Sequence, residues 1–139
     1  MYYLGIDLGG TNIAAGIVDE NSKILLKGSV PTMANRDGKL IIKDMAELCK
    51  KLVSDMGLTI DDLEYAGIAT PGTANSDTGV VEYANNLPFR KFPICAELSA
   101  RLGLENIHVE NDANAAAWGE AVAGAARGTK NSVMITLGT

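Results

Sequence analysis

The sequence contains little of several features that particular protein classes require. Only two cysteines are present, Cys49 and Cys95, and they are far apart and lack metal-ligand spacing, so neither a disulfide framework nor a zinc site is predicted. No apolar run approaches the ~20 residues of a membrane helix, and the N-terminus does not have the form of a signal peptide. The 12 basic residues are scattered and outnumbered by 17 acidic ones, which disfavours nucleic-acid binding.

Aromatic residues are also scarce, at 5%, whereas 47% of the residues are apolar and 15 are glycine. Small apolar residues in this proportion are typical of a layered α/β protein, in which helices pack closely on a sheet. The chain is long enough to bury one core. We therefore expect an α/β domain in the cytoplasm, with both cysteines as reduced core residues.

The apolar periodicity predicts the element order βββαβαβα. The first three strands are joined by short turns and must form an antiparallel meander, whereas the later strands follow helical crossovers and must join in parallel. The result is a mixed five-stranded sheet. The last helix should bury Trp118 in the core. An extra apolar strand at residues 132–137 is expected to open a second domain, so that residues 1–130 form one domain and residues 131–139 begin the next. The predicted strands and helices cover residues 2–8, 13–18, 24–30, 39–56, 65–70, 93–102, 107–110 and 113–126.

A glycine pair interrupts the first two apolar runs, in the stretch GIDLGGTNIAAGIVD at residues 5–19. Glycines let a backbone approach a ligand and turn its N–H groups outward, which suits a phosphate. Thr11 and Asn12 add hydrogen-bonding side chains. The carboxylate of Asp7 would repel a phosphate unless a hydrated Mg²⁺ lay between them. The alternative is an ordinary Gly9-Gly10 hairpin turn with a solvated aspartate.

A second polar group, Asn111-Asp112, follows the strand at residues 107–110. Ligands of such sheets gather at the carboxyl ends of parallel strands, where the Pro71-Gly72 turn should also lie. Asp112 is suited to accept the proton of a sugar hydroxyl as a general base, with Asn111 contacting neighbouring hydroxyls. The alternative is that Asp112 or Asn114 merely caps the alanine-rich helix.

Four stretches in this order resemble a known family. LGIDLGGTNIAAGIVDE is similar to the first phosphate motif of the sugar kinase, actin and heat-shock ATPase superfamily. VENDANAAAWGE resembles the sugar-site signature of the ROK family (repressors, open reading frames and sugar kinases), and GIATPGTANSDTGVVEYANNLPF resembles the stretch that precedes it in ROK glucokinases. GTKNSVMITLGT has the form of the second phosphate motif, ending just after its first glycine and threonine. The resemblance implies a ribonuclease H-like, actin-like ATPase domain.

The resemblance also implies a role for each motif. Asp112 would be the catalytic base, and the sugar would be bound by Asn111 and Asp112, with Gly72, Thr73, Asn85 and Asn86 lining the pocket. Asp7 would act on magnesium through water. The phosphates of ATP would contact the residues of the two phosphate motifs, namely Asp7, Gly9, Gly10, Thr11, Asn12, Gly138 and Thr139.

The implied function is the N-terminal half of an ATP-dependent hexose kinase. Glucokinase, which converts glucose and ATP to glucose 6-phosphate and ADP at the entry to glycolysis, is the leading candidate. Fructose, mannose, N-acetylmannosamine and allose stay open as sugars, and polyphosphate as donor. The alternative class is a sugar-sensing ROK module without catalysis. The family's adenosine pocket and zinc motif would lie beyond this sequence, so the fragment itself should be inactive. A repressor is disfavoured because the glycine motif begins close to Met1. We also expect a homo-oligomer.

Overall fold

The computed structural model describes residues 1–137. The strands and helices follow one another in the order β1 (Tyr2–Leu8), β2 (Asn12–Asp19), β3 (Ile24–Pro31), α1 (Gly38–Asp55), β4 (Leu63–Thr70), β5 (Thr73–Asn75), β6 (Val80–Tyr83), β7 (Arg90–Phe92), α2 (Ile94–Leu102), β8 (Ile107–Asn111) and α3 (Asp112–Ala123).

The main sheet has five strands in the order β3-β2-β1-β4-β8. The β1–β2 and β2–β3 pairs are antiparallel, and the β1–β4 and β4–β8 pairs are parallel. The predicted meander and both parallel additions are thus confirmed. Parallel pairing needs a long crossover, which α1 provides before β4 and α2 provides before β8.

The two faces of the main sheet are in different environments. Along β1, Leu4, Ile6 and Leu8 are buried, whereas the alternate residues Gly5 and Asp7 are exposed. The buried face packs against α1, whose apolar residues repeat at helical spacing and line one stripe of the helix. Helix α1 begins at the N-cap Asp37, and the chain leaves it at Gly57 with a φ of +70°. The face with Gly5 and Asp7 borders a broad cleft.

A second, three-stranded antiparallel sheet of order β5-β6-β7 was not predicted. Its strands are only three or four residues long, too short for an alternating pattern to show in the sequence. The small sheet joins the common core through Val81 and Phe89, which are fully buried, and Phe89 stacks on Phe92 with ring centroids 4.6 Å apart. Residues 74–86, which the sequence suggests are a polar loop, therefore form a small structured lobe.

The predicted extra strand is wrong for the described residues. Residues 131–137 carry no strand, and Val133, Ile135 and Leu137 are exposed. A strand needs a neighbour for its backbone hydrogen bonds, and among residues 1–137 no strand of either sheet pairs with this segment. The assignment of residues 131–139 to a second domain stays a prediction.

Trp118 is also placed differently from the prediction. It lies on α3, and its side chain is 74% exposed rather than in the core. Helix α3 has no buried residue, and its main contacts are with strands β4 and β8 at one side of the sheet. Several alanines of α3 line the cleft, whereas Trp118 and Val122 of the same helix are exposed.

Both cysteines are free thiols. Cys49 is fully buried in α1 and Cys95 is half-buried at the start of α2. Burial raises the pKa of the Cys49 thiol to about 12 and that of Cys95 to about 11, so both resist ionisation and reaction. Among residues 1–137 no helix combines the length and apolar character that crossing a membrane requires.

Candidate functional site

The glycine pair lies in the connection between β1 and β2, at residues 9–11. This connection is longer than the two-residue hairpin turn that the sequence left open, and it is closed by a bond from the Gly9 N–H to the Asn12 carbonyl oxygen at 2.9 Å. The amides of Gly10 and Thr11 have no hydrogen-bond acceptor within residues 1–137. Thr11 and Asn12 are exposed. The turn therefore offers unpaired backbone donors, as an anion site requires.

One residue of this turn's surroundings was missed at the sequence level. Thr32, just after β3, is fully buried, and its hydroxyl donates to the Gly9 carbonyl oxygen at 2.7 Å. Its backbone N–H donates to the Thr11 carbonyl oxygen at 2.8 Å. A threonine 23 positions from Gly9 in the sequence gives no local signal of such a contact.

The carboxyl end of β8 places Asn111 and Asp112 at the start of α3. The cap of the helix is Asn111, whose Oδ1 accepts from the backbone N–H groups of Ala113 and Asn114. Asp112 is the first helical residue, and Asn114 does not cap, so the capping alternative is wrong for both residues. One carboxylate oxygen of Asp112 accepts the Ala113 N–H at 2.8 Å, and the residue lines the cleft.

The side-chain amide of Asn111 is largely occupied by the protein itself. Besides capping α3, it donates from Nδ2 to the Gly72 carbonyl oxygen at 3.0 Å. An asparagine amide has two N–H groups, so one donor is left for a ligand. Asn111 therefore connects the Pro71-Gly72 turn to the helix that carries Asp112, and any contact with a sugar uses its one remaining N–H.

Gly72 occupies a position that no other residue fits. Its φ is +88°, and a Cβ added there would lie 2.1 Å from the Tyr83 carbonyl oxygen. The following residue, Thr73, starts β5 and pairs with Tyr83 of β6. The turn is thus pressed against the small sheet, which presents Thr73 near the carboxyl ends of β4 and β8.

Asn85 and Asn86 lie on the loop between β6 and β7. Both are exposed, and Asn85 accepts a hydrogen bond from the Tyr83 hydroxyl at 2.5 Å. Asn86 reaches the glycine pair: a Cβ added at Gly10 would lie 3.2 Å from the Asn86 Cβ. The loop with the two asparagines and the glycine turn are therefore in direct contact, although they are far apart in the sequence.

Asp7 and Asp112 face the same cleft, which has a volume of about 870 Å³. Its floor is formed by the exposed face of β1, β2 and β4 and its wall by the alanines of α3. Desolvation raises the pKa of the Asp7 carboxyl above its ordinary value, and the negative charge of Asp112 raises it further. Two carboxylates that repel each other across an open cleft are suited to share a cation. Gly138 and Thr139, predicted to contact phosphate, lie outside the described residues.

The raised pKa of Asp7 leads to a prediction about stability. Because the folded state favours the neutral form, ionisation of Asp7 destabilises the fold above its pKa, and this cost is absent below its ordinary value of 3.8. We expect Asp7→Asn to raise the melting temperature at pH 7, and the difference from wild type to shrink as the pH falls towards 3.

Thermal unfolding of both proteins between pH 3 and pH 8 measures this effect. Asp77→Asn is the control, because Asp77 is an exposed carboxylate in the turn before β6, outside the cleft. A melting temperature that Asp7→Asn lowers at pH 7, or a difference that does not depend on pH, would contradict the prediction.

Comparison with known protein families gives a match over nearly the whole chain. The family model described as "ROK family" matches residues 3–139. The glucokinase of Halalkalibacterium halodurans is 38% identical over 138 residues, which is 99% of this chain and 42% of that protein. The N-acetyl-D-glucosamine kinase of Haemophilus influenzae is 34% identical over 121 residues, 87% of this chain and 38% of that protein.

A solved structure agrees with these relatives. The ROK family glucokinase of Streptomyces griseus, determined in complex with glucose and AMPPNP, superimposes with a TM-score of 0.82 at 36% identity. The match covers 92% of this chain and 38% of the other. The chain thus spans about two-fifths of the length of the relatives that it matches, with the actin-like ATPase fold in common.

Proposed function

Because the chain belongs to the ROK family, we propose that it is the N-terminal, sugar-side part of a hexose kinase that transfers a phosphoryl group from ATP to a sugar hydroxyl. Glucose is the favoured sugar, since curated relatives at 37–39% identity are glucokinases and the superimposed enzyme holds glucose and AMPPNP. The observation that carries the proposal is that Asp112 and Asp7 line one cleft, and that a turn with unpaired amides begins just after the strand that carries Asp7.

Asp112 is the proposed general base. Its carboxylate lines the cleft and has capacity beyond the single bond that it accepts from Ala113. In the reaction, the sugar hydroxyl gives its proton to Asp112 while its oxygen forms a bond to the γ-phosphorus. The bond between that phosphorus and the β–γ bridging oxygen breaks, and ADP leaves with the electron pair. A base positioned in this way typically contributes ~10²–10⁴-fold.

The neighbouring residues would orient the reactants. The free N–H of Asn111 would donate to the sugar, and Thr73, Asn85 and Asn86 would contact it from the small lobe. Contact with Gly72 would be through its backbone, since its carbonyl already accepts from Asn111. The amides of Gly10 and Thr11 would donate to the phosphates, with the side chains of Thr11 and Asn12 beside them. Positioning and charge neutralisation are what phosphoryl transfer chiefly needs.

Magnesium fits the acidic end of the cleft. Asp7 is a carboxylate near a second carboxylate, and oxygen ligands with retained water are what Mg²⁺ prefers. Asp7 would hold the ion through water. Within residues 1–137 no group of three or more His, Cys, Asp or Glu side chains could enclose a metal by itself, which agrees with an ion held mainly by substrate and solvent. Mg²⁺ neutralises the charge of the donor phosphates when bound.

The substrate prediction is tested with the full-length protein. A coupled assay with glucose, mannose, fructose, allose, N-acetylglucosamine and N-acetylmannosamine should give the highest kcat/KM for glucose. ATP and polyphosphate are compared as donors at a fixed glucose concentration. Discrimination among such sugars depends on single hydroxyl contacts, and a sugar that leaves a hydrogen-bonding group of the site unpaired should be rejected by up to about 10⁴–10⁵-fold.

Each outcome of the panel has a meaning. A preference for an N-acetylated sugar would overturn glucose but keep the kinase. Tight sugar binding without any phosphorylation would favour the sensing module instead. Association into a homo-oligomer and a cytoplasmic location stay predictions from the sequence, and sedimentation of the full-length protein and cell fractionation test them.

A further inference from the structure

Beyond the reaction itself, we propose that Thr32 is the positioning residue of the glycine turn, fixing the direction in which the Gly10 amide points. The proposal rests on the proposed function insofar as the ligand of that amide is the phosphate of the donor. It concerns a residue outside every motif that the sequence singles out.

The first support is the burial of a polar side chain with one defined partner. Thr32 is 0% exposed, and its hydroxyl donates to the Gly9 carbonyl oxygen at 2.7 Å. A buried hydroxyl without a hydrogen-bond partner lowers the stability of the folded state, so this hydrogen bond is strongly favoured there. The Thr32 N–H adds a second bond to the same turn, to the Thr11 carbonyl oxygen at 2.8 Å.

The second support is the geometry of the peptide group. In a trans peptide the carbonyl and the following N–H point in opposite directions. No cis peptide bond is present among the described residues. Since Thr32 holds the Gly9 carbonyl from the buried side, the Gly10 N–H must point away from Thr32. That N–H has no acceptor within residues 1–137, which is what we expect of a donor that binds a ligand. Glycine alone would leave this peptide plane free to rotate.

The third support is that Thr32 is itself held in place. Arg36 donates from Nη2 to the Thr32 carbonyl oxygen at 3.0 Å and pairs with Asp44 of α1 at 2.5 Å. The same arginine donates from Nε to the Met33 carbonyl oxygen. The glycine turn is thereby connected through Thr32 and Arg36 to the longest helix of the fold. A rigid support of this kind is what keeps a phosphate-binding loop preorganised.

The test uses the full-length enzyme with Thr32→Val, which removes the hydroxyl and keeps the shape, and Thr32→Ser, which keeps the hydroxyl. We expect the valine variant to raise KM for ATP by about 10-fold or more while KM for the sugar changes less than about twofold. The serine variant should have a KM for ATP within about twofold of wild type. Thr32→Ala replaces the valine variant if valine prevents folding.

Thr70→Val is the matched control. Within residues 1–137, Thr70 is the other fully buried threonine, and its hydroxyl donates a hydrogen bond to the carbonyl oxygen of its neighbour Pro71 at 3.3 Å rather than to the glycine turn. The Thr70→Val substitution should leave KM for ATP unchanged. A valine variant at position 32 that raises both KM values equally, or neither, overturns the proposal. A serine variant as impaired as the valine variant also overturns it, because packing of the methyl group would then be the cause.

A separate readout distinguishes this proposal from the kinase assignment. The backbone amide resonance of Gly10 is followed in the full-length protein as AMPPNP and Mg²⁺ are added. It should shift in wild type and in Thr32→Ser, and shift much less in Thr32→Val. If the wild-type protein phosphorylates no sugar but the Gly10 resonance shows this pattern, the kinase proposal is refuted and the proposed role of Thr32 is supported. An unresponsive Gly10 amide in wild type overturns the role of Thr32.

Discussion

Replacing Asp112 with asparagine in the full-length enzyme is expected to lower kcat by about 10²–10⁴-fold, the usual contribution of a positioned general base. Asparagine has the same shape, and its Oδ1 can still accept the Ala113 N–H that Asp112 accepts at 2.8 Å. The start of α3 should therefore be preserved. Sugar binding, measured by calorimetry, should stay within a few-fold of wild type, since only the proton acceptor is lost.

Glu110→Gln is the matched control for this variant. Glu110 lies two residues away, at the exposed side of β8, and its carboxylate accepts from the Asn111 N–H and the Asn114 side chain. Glutamine keeps an acceptor oxygen there, so kcat should change less than about threefold. If Asp112→Asn retains more than a tenth of wild-type turnover, Asp112 is not the base and the proposed mechanism fails.

Gly72→Ala is expected to have the largest effect on stability of any single substitution considered for this fold. Two independent penalties apply: a left-handed φ of +88°, and an added methyl 2.1 Å from the Tyr83 carbonyl oxygen. The first typically costs ~1–2 kcal/mol, and overpacking adds ~1–3 kcal/mol. Because the Gly72 carbonyl also holds Asn111, KM for the sugar should rise in whatever fraction folds.

Gly57→Ala separates the two penalties. Gly57 has a similar φ of +70°, but nothing lies within 4 Å of a Cβ added there. It should lower the free energy of unfolding by ~1–2 kcal/mol, the conformational cost alone. Urea unfolding of both variants in the full-length protein measures the difference. Equal destabilisation by the two substitutions would show that the turn yields to the methyl group, contrary to the expectation of a rigid contact.

The sequence was sufficient for the elements that have a clear period. Strands β1 and β2 bury alternate residues, α1 repeats apolar residues at helical spacing, and the connection lengths then determine which strands pair in parallel. The small sheet was missed because strands such as Val80–Tyr83 are shorter than one readable repeat. The strand predicted at residues 132–137 is the opposite error, a strand predicted where the structure has none. An apolar run indicates a tendency to form a strand, but a strand also requires a neighbour to pair with.

The position of the candidate site could be predicted from the sequence more easily than the part that each of its residues takes in the structure. Asp112 and Asn111 follow a strand, so their place at the sheet edge was predictable. The residue that caps α3 was not predictable, because Asn111, Asp112 and Asn114 all have side chains that can cap a helix. Thr32 lies 23 positions from Gly9, and a contact over that distance depends on the register of β2 with β3. Such contacts become visible only in three dimensions.

The contact between Asn86 and Gly10 has a consequence for how enzymes of this kind diverge. The loop proposed to contact the sugar touches the glycine turn proposed to bind the phosphates, so any replacement of the loop also alters the surroundings of that turn. Under the proposed function, a larger side chain in the loop that improved the fit of one sugar would press on the backbone proposed to bind the donor. Under the proposed function, sugar preference and donor binding are therefore coupled, and an exchange of this loop between related proteins should include the glycine turn that faces it.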